Sequence, residues 1–262
     1  MMEKRDRLFG MALGRMELPF ADIPDFFTFP HFSAVELPAE CWAKPSGGGI
    51  QRPLPLERFS SVVCGNIMEP ALCGVIVRTL PGRRREFADE AGRVLTALAR
   101  KGVGSAVLDC NLEEILGDPG SEESMREILL RLAPVLLKNG MTLILPFRAP
   151  SRHSPGVLSR FLRRSLLPCV KTRLEIHPFE REAPKPETSG GVLRLDLHSI
   201  LFVYDADSGG RIRKSHVQPW LDWTEHLGLR IPFLLCPNSR RQRMALPEAS
   251  VWDGIAEELQ NG

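Results

Sequence analysis

What most constrains the fold of this chain is a repeated pairing of two patterns along its length. Short, mostly apolar runs end at a residue able to do chemistry or at a conspicuous substitute for one, and segments with helical spacing separate them. Ala34-Val35-Glu36, Ala106-Val107-Leu108-Asp109, Leu143-Ile144-Leu145-Pro146, Leu174-Glu175-Ile176-His177, Phe202-Val203-Tyr204-Asp205 and Phe233-Leu234-Leu235-Cys236 are the clearest runs. An apolar run without polar alternation is the mark of a parallel strand buried on both faces. Strands alternating with helices from end to end imply helices packed around one parallel sheet, not separate all-α and all-β halves. In such folds ligands sit at the carboxyl ends of the strands, so the residues that close the runs are the first place to read a site.

Mapped onto the chain, the patterns give about eight strand–helix units. Strands are expected at 8–13, 33–37, 105–108, 141–145, 171–176 and 231–236, with 61–64 and 74–78 competing for the third position. The strongest helix starts near Arg84, where Phe87, Ala91, Val94, Leu95, Leu98 and Ala99 recur at three- and four-residue spacings before Gly102 and Gly104 end it. A second begins at Ser121 after a Gly-Asp-Pro-Gly turn, and Pro134 is expected to disturb it. Further helices are read at 157–167, 220–227 and 250–259. The stretch 192–205 is ambiguous: Leu193, Leu195 and Leu197 alternate with polar residues, while 200–204 is itself a buried-strand run. Two Pro- and Gly-rich segments, 44–55 and 181–191, read as loops.

Composition sets the outer bounds. The 262 residues suit a single (β/α)8 barrel domain over 1–262, since such barrels occupy about 250 residues. Hydrophobic residues are 43% of the chain, and its formal net charge is only +2, so no global field directs it to nucleic acid or to a membrane. The basic runs Arg83-Arg84-Arg85, Arg163-Arg164 and Arg240-Arg241 with Arg243 are ordinarily solvated faces. Six scattered cysteines contain no Cys-x-x-Cys pair, which speaks for buried reduced thiols over a zinc site or disulfide framework. The charged amino terminus has no apolar stretch behind it, and no segment approaches the roughly 20 apolar residues of a membrane span. A cytoplasmic protein is the expectation.

Glu175 and His177 share one face of a strand, so both can point into a barrel mouth and serve as an acid/base pair or as two metal ligands. Glu36 and Asp109 from other strand ends would complete a site of three carboxylates and one histidine. The bland alternative is that Glu175 lies within the barrel layer or pairs with an arginine while His177 caps the strand. Asp196 and His198 repeat the spacing, without a chemical role if their segment is a helix or an outer strand. Arg148 and Arg152 after the fifth strand, with Asn238, Ser239, Arg240, Arg241 and Arg243 after the eighth, could bind a phosphate or carboxylate, or be surface charge. Asp205, Asp207, Gly209 and Gly210 faintly suggest a metal loop, but Arg211 to Lys214 stand where a calcium loop needs a glutamate. Trp220, Trp223 and Trp252 read as core anchors.

Several of these motifs resemble the sugar isomerase/epimerase superfamily with a xylose-isomerase-like barrel, which also has a DNA-repair endonuclease branch. The run Ser33-Ala34-Val35-Glu36-Leu37-Pro38-Ala39-Glu40 is similar to the family's second-strand Gly-Val-Glu-Leu motif. The helix at 84–100 running through Gly102 into the strand at Ala106 resembles the family's approach to its fourth strand. Asn139-Gly140-Met141-Thr142-Leu143-Ile144-Leu145 resembles the entry to the fifth, and Tyr204-Asp205-Ala206-Asp207 the end of the seventh. The resemblance implies a TIM (β/α)8 barrel, allowing for irregular third and seventh units, and a divalent metal (Mn, Mg, Co or Zn) held by Glu, Asp, His and Glu after strands five to eight. Carried over, those positions fall at Pro146, at Glu175 with His177 two residues on, near Tyr204 and near Cys236. Only Glu175 and His177 supply ligand chemistry.

Two functions are therefore expected. The first is a sugar or sugar-phosphate isomerase/epimerase-like protein acting on a small polar carbohydrate-type ligand. In it Glu36, Asp109, Glu175 and His177 line the mouth, one carboxylate moves a proton next to a carbonyl, and Arg148, Asp205, Asp207 and Arg240 hold the substrate. The second is a non-catalytic barrel that has lost the family's metal site and binds a ligand or partner. A small sugar-like or anionic molecule is the expected partner in both, a homo-oligomer is open, and nucleic acid is disfavoured by the few, mostly loop-borne histidines.

Overall fold

The computed structural model describes residues 7–13, 23–42, 55–68, 70–149, 155–165, 167–176, 196–204, 212–237 and 245–261. The expected loop at 44–55, apart from Pro55, and the one at 181–191, together with Arg152, His177, Asp205, Asp207 and Arg240, lie outside them.

Eight parallel strands close into a barrel in sequence order. They are β1 (Phe9–Ala12), β2 (Phe32–Leu37), β3 (Ser61–Asn66), β4 (Ser105–Val107), β5 (Thr142–Ala149), β6 (Val170–Ile176), β7 (Leu197–Tyr204) and β8 (Phe233–Pro237). Pairing of β1 with β8 closes the ring, in the register Phe9 to Phe233 and Met11 to Leu235. The outer layer comprises α1 (Pro70–Val77), α2 (Pro81–Ala99), α3 (Leu112–Ile115), α4 (Pro119–Asn139), α5 (Pro155–Ser165), α6 (Lys214–His226) and α7 (Ala245–Asn261), with 3-10 turns at Ile23–Thr28, Ala39–Trp42 and Leu56–Arg58. Among the described residues no helix is long and apolar enough to cross a membrane. No two of the six cysteines are joined in a disulfide, and all but Cys41 are buried.

The two candidates for the third strand separate by periodicity. Residues 61–66 form β3, whereas 74–77 belong to α1, where Cys73 and Val77 are buried one turn apart and Val75 between them is exposed. α4 begins earlier than the sequence suggests, because the Gly-Asp-Pro-Gly segment is its cap and not a separate turn. The Asp118 carboxylate accepts the Ser121 N–H at 3.0 Å, and Pro119 takes the first helical position, where its missing donor costs nothing. The helix also runs unbroken through Pro134. Its face of Met125, Ile128, Leu129, Leu132 and Leu136 is fully buried, Gly92 of α2 lies against Leu132 and Val135, and Arg84 of α2 pairs with Glu127 at 3.0 Å. That packing outweighs the roughly 3 kcal/mol an internal proline costs. Gly140, at φ 62°, then stops the helix in the left-handed conformation that suits glycine.

Strand alternation divides the core into two shells. Met11, Val35, Leu37, Leu143, Leu145, Leu174, Ile176, Phe202 and Leu235 face the helices in one large cluster. The inward residues form two smaller clusters: Ala12, Ala34, Leu201, Val203, Leu234 and Cys236 on β1, β2, β7 and β8, and Val63, Val107 and Ile144 on β3 to β5.

At Gly10 the register between β1 and β2 shifts, and a Cβ there would lie 1.8 Å from the Ala34 carbonyl oxygen. Only a residue without a Cβ allows that approach. Gly10→Ala is therefore expected to destabilise the barrel by about 3 kcal/mol, because backbone and not a flexible side chain must give way. Urea denaturation checks this.

Candidate functional site

The carboxyl ends of the eight strands form one mouth, and of the residues expected there Glu36, Asp109, Arg148 and Glu175 are among those described. Glu36 stands on β2 beside Ala12 of β1. Asp109 lies two residues past the end of β4, and Glu175 occupies β6 beside Arg148 of β5. Glu36, Asp109 and Glu175 are 1%, 8% and 0% exposed, so all three are shielded carboxylates needing a partner.

Arg173, two residues before Glu175 and on the same strand face, supplies the charge for two of them. Its Nη2 donates to Glu175 Oε1 at 3.0 Å, and its Nη1 donates to Glu36 Oε2. In a ring of eight, β6 and β2 stand four places apart in either direction, so this arginine reaches across the barrel axis. The guanidinium is 1% exposed and both carboxylates 2% or less. Charge-assisted bonds of this kind are strong, but only the complete set offsets the desolvation of three ions. Two carboxylates and one guanidinium leave one negative charge. Arg148 approaches it from the solvent side, 55% exposed, with its Nε 3.9 Å from Glu175 Oε2.

Asp109 is positioned by its own loop. Its N–H donates to Asn66 Oδ1 at 3.2 Å, and its Oδ1 accepts the Asn111 N–H at 3.2 Å. Asn111 is the single described non-glycine residue at positive φ, 51°, a conformation asparagine tolerates better than most residues. The Cys110 thiol beside it is hydrogen-bonded with the Cys73 thiol and buried, and both effects hold its pKa well above the usual range.

The structure thus brings Glu36, Asp109, Glu175 and Arg148 to one mouth, whereas His177, Asp205, Asp207 and Arg240 fall outside the described residues. Arg173 is the residue sequence reasoning missed. Pro146 and Cys236, at two of the four positions where the resembled family holds a metal, are buried and cannot replace a carboxylate. Among the described residues no group of three His, Cys, Asp or Glu side chains could hold a metal ion. The described residues do not fit a divalent metal, since the cation facing Glu36 and Glu175 is already a guanidinium.

His198 and Asp196 lie at the amino end of β7, away from the mouth. Trp220 and Trp252 are fully buried core residues, and Trp223 packs edge-on against Trp220. The His198 Nδ1 is buried and has no hydrogen-bond partner among the described residues. Burial, and after it the Arg173 and Lys171 cations, push its pKa down from 6.5 to about 4. The unfolded chain therefore takes up a proton in this window that the folded chain refuses. The stability His198 contributes is full above pH 6.5 and is lost as the pH falls to about 4, a change on the order of 3 kcal/mol. His198→Asn is expected to flatten the pH dependence of unfolding between those limits relative to the wild type, as read by urea denaturation at several pH values.

No protein-family model matches the sequence, and no curated protein matches it. Solved structures do match in shape. D-psicose 3-epimerase from Clostridium cellulolyticum H10, solved with D-tagatose, aligns with a TM-score of 0.71 at 13% identity, covering 97% of this chain and 100% of that one. 3-Keto-D-glucoside 4-epimerase from E. coli aligns at 0.64 and 11% identity, covering 95% and 99%. An AP endonuclease of family 2 from Brucella melitensis aligns at 0.61 and 17% identity, covering 93% and 96%. The chain folds as a xylose-isomerase-like TIM barrel, the architecture its motifs imply.

Proposed function

We propose that this barrel binds a small, polar, carbohydrate-type ligand at its carboxyl-end mouth, and does so without divalent-metal chemistry. The observation that carries the reading is the convergence of inward carboxylates from β2, β4 and β6 on one end of the barrel, with Arg148 at the rim. Asp109 and the exposed Arg148 supply an acceptor and donors of the kind a polyhydroxylated molecule needs, while Glu36 and Glu175 lie beneath them with Arg173. Barrels of the same shape include D-psicose 3-epimerase, solved with D-tagatose or in the presence of D-fructose, and L-ribulose 3-epimerase, which supports a sugar as the ligand class.

The metal-dependent isomerase reading loses ground because Pro146 and Cys236 replace two ligands and Arg173 engages Glu36 and Glu175. A proton-moving carboxylate beside a carbonyl remains chemically sound without a metal. Asp109, held at the mouth by its Asn111 contact, is the described residue best placed for it.

Isothermal titration with D-psicose, D-tagatose, L-ribulose and their phosphates tests the proposal. Binding of at least one of them with Kd of about 1 mM or tighter is expected, weakened by about tenfold or more in Arg148→Ala and in Asp109→Asn. Absence of binding across the whole panel would overturn it.

A further inference from the structure

We propose that Arg173 is the resident cation of this barrel: its guanidinium takes over the charge-compensating work of a divalent ion between Glu36 and Glu175, and the protein is metal-independent as a result. The inference holds whichever ligand the mouth takes.

Three observations meet at this point. The arginine is buried at 1% exposure and donates to carboxylates on opposite strands. Its stem rises from the middle of β6, at the inward phase it shares with Glu175. Two of the four positions from which the resembled family holds its metal carry Pro146 and Cys236, both buried and neither a carboxylate. A dication placed against these two carboxylates would face the guanidinium across a few ångströms of low-dielectric interior, where like charges repel strongly. Arginine is suited to the substitution because it stays protonated in a protein interior and its planar fork serves two carboxylates at once. The charge arrangement also makes a converse prediction. Removing the guanidinium while leaving both glutamates recreates an anionic oxygen-donor pair of the kind that attracts Mg or Mn.

The experiment is thermal unfolding of wild type and Arg173→Met, each with MnCl2, with MgCl2 and with EDTA, alongside elemental analysis of the purified wild type. A specifically bound ion at about a hundred times its Kd would raise Tm by roughly 5–10 °C. The expected result is no stoichiometric divalent metal and no Tm response in wild type, with a Mn- or Mg-dependent rise of several degrees in Arg173→Met. Stoichiometric metal in wild type, or an EDTA-sensitive wild-type Tm, overturns the proposal, and so does a folded Arg173→Met that ignores both ions. Should that variant not fold, the wild-type measurements decide alone.

Discussion

Replacing Arg173 by methionine is expected to destabilise the barrel by about 3–5 kcal/mol, the range for breaking a buried ion pair from one side. Methionine keeps a stem of similar length, although the volume of the buried guanidinium is lost with its charge. What changes is that Glu36 and Glu175, both almost fully buried, lose their shared cation and must either stay charged in a dry interior or take up protons. Replacing the whole set is expected to behave differently. The triple variant Arg173→Met, Glu36→Leu, Glu175→Leu should recover most of the stability, because an apolar set of similar volume needs no desolvated charge. Equilibrium urea unfolding of the single and triple variants separates these outcomes.

Much of this was legible in the sequence. The order of strands and helices could be read because buried parallel strands are continuous apolar runs and amphipathic helices recur at 3.6 residues. The boundaries that moved did so for tertiary reasons. α6 starts six residues before the expected Trp220 because Val217 already belongs to its buried face with Trp220, Leu221 and Thr224. β5 continues past Leu145 through Pro146 to Ala149, paired along its length with β6. At the site, same-face spacing put Glu175 at the inward phase of β6, and of the two readings of that position the structure shows the bland one: Glu175 is fully buried in the barrel layer and paired with an arginine. The same rule applies to Arg173 two residues earlier, yet its role is invisible without the ring, because its partner Glu36 lies 137 residues away on the opposite strand. The usable signal was a basic residue at the inward phase of a strand whose neighbours must be buried.

Trp252→Ala is the second substitution expected to have a large effect, about 3–5 kcal/mol. Trp252, on α7, is fully buried and seals the seam where β1 meets β8. Its indole N–H donates to the Gly10 carbonyl at 2.9 Å. Its ring meets Phe9 edge-on at 5.6 Å and Phe202 at 5.9 Å, while Phe233 packs against both phenylalanines. Alanine would remove the ring contacts and leave a cavity at the one junction that joins the first strand to the last. Trp252→Phe, which keeps an aromatic body and loses only the donor, is expected to cost about 1–2 kcal/mol. Guanidinium or urea denaturation of both variants distinguishes packing from the hydrogen bond.

The most direct measurement of the central claim is a double-mutant cycle between Glu36→Gln and Arg173→Met, read as unfolding free energy near pH 7. A guanidinium that reaches across the barrel to hold Glu36 predicts a coupling of at least about 1.5 kcal/mol. Additivity of the two changes within about 0.5 kcal/mol would contradict it.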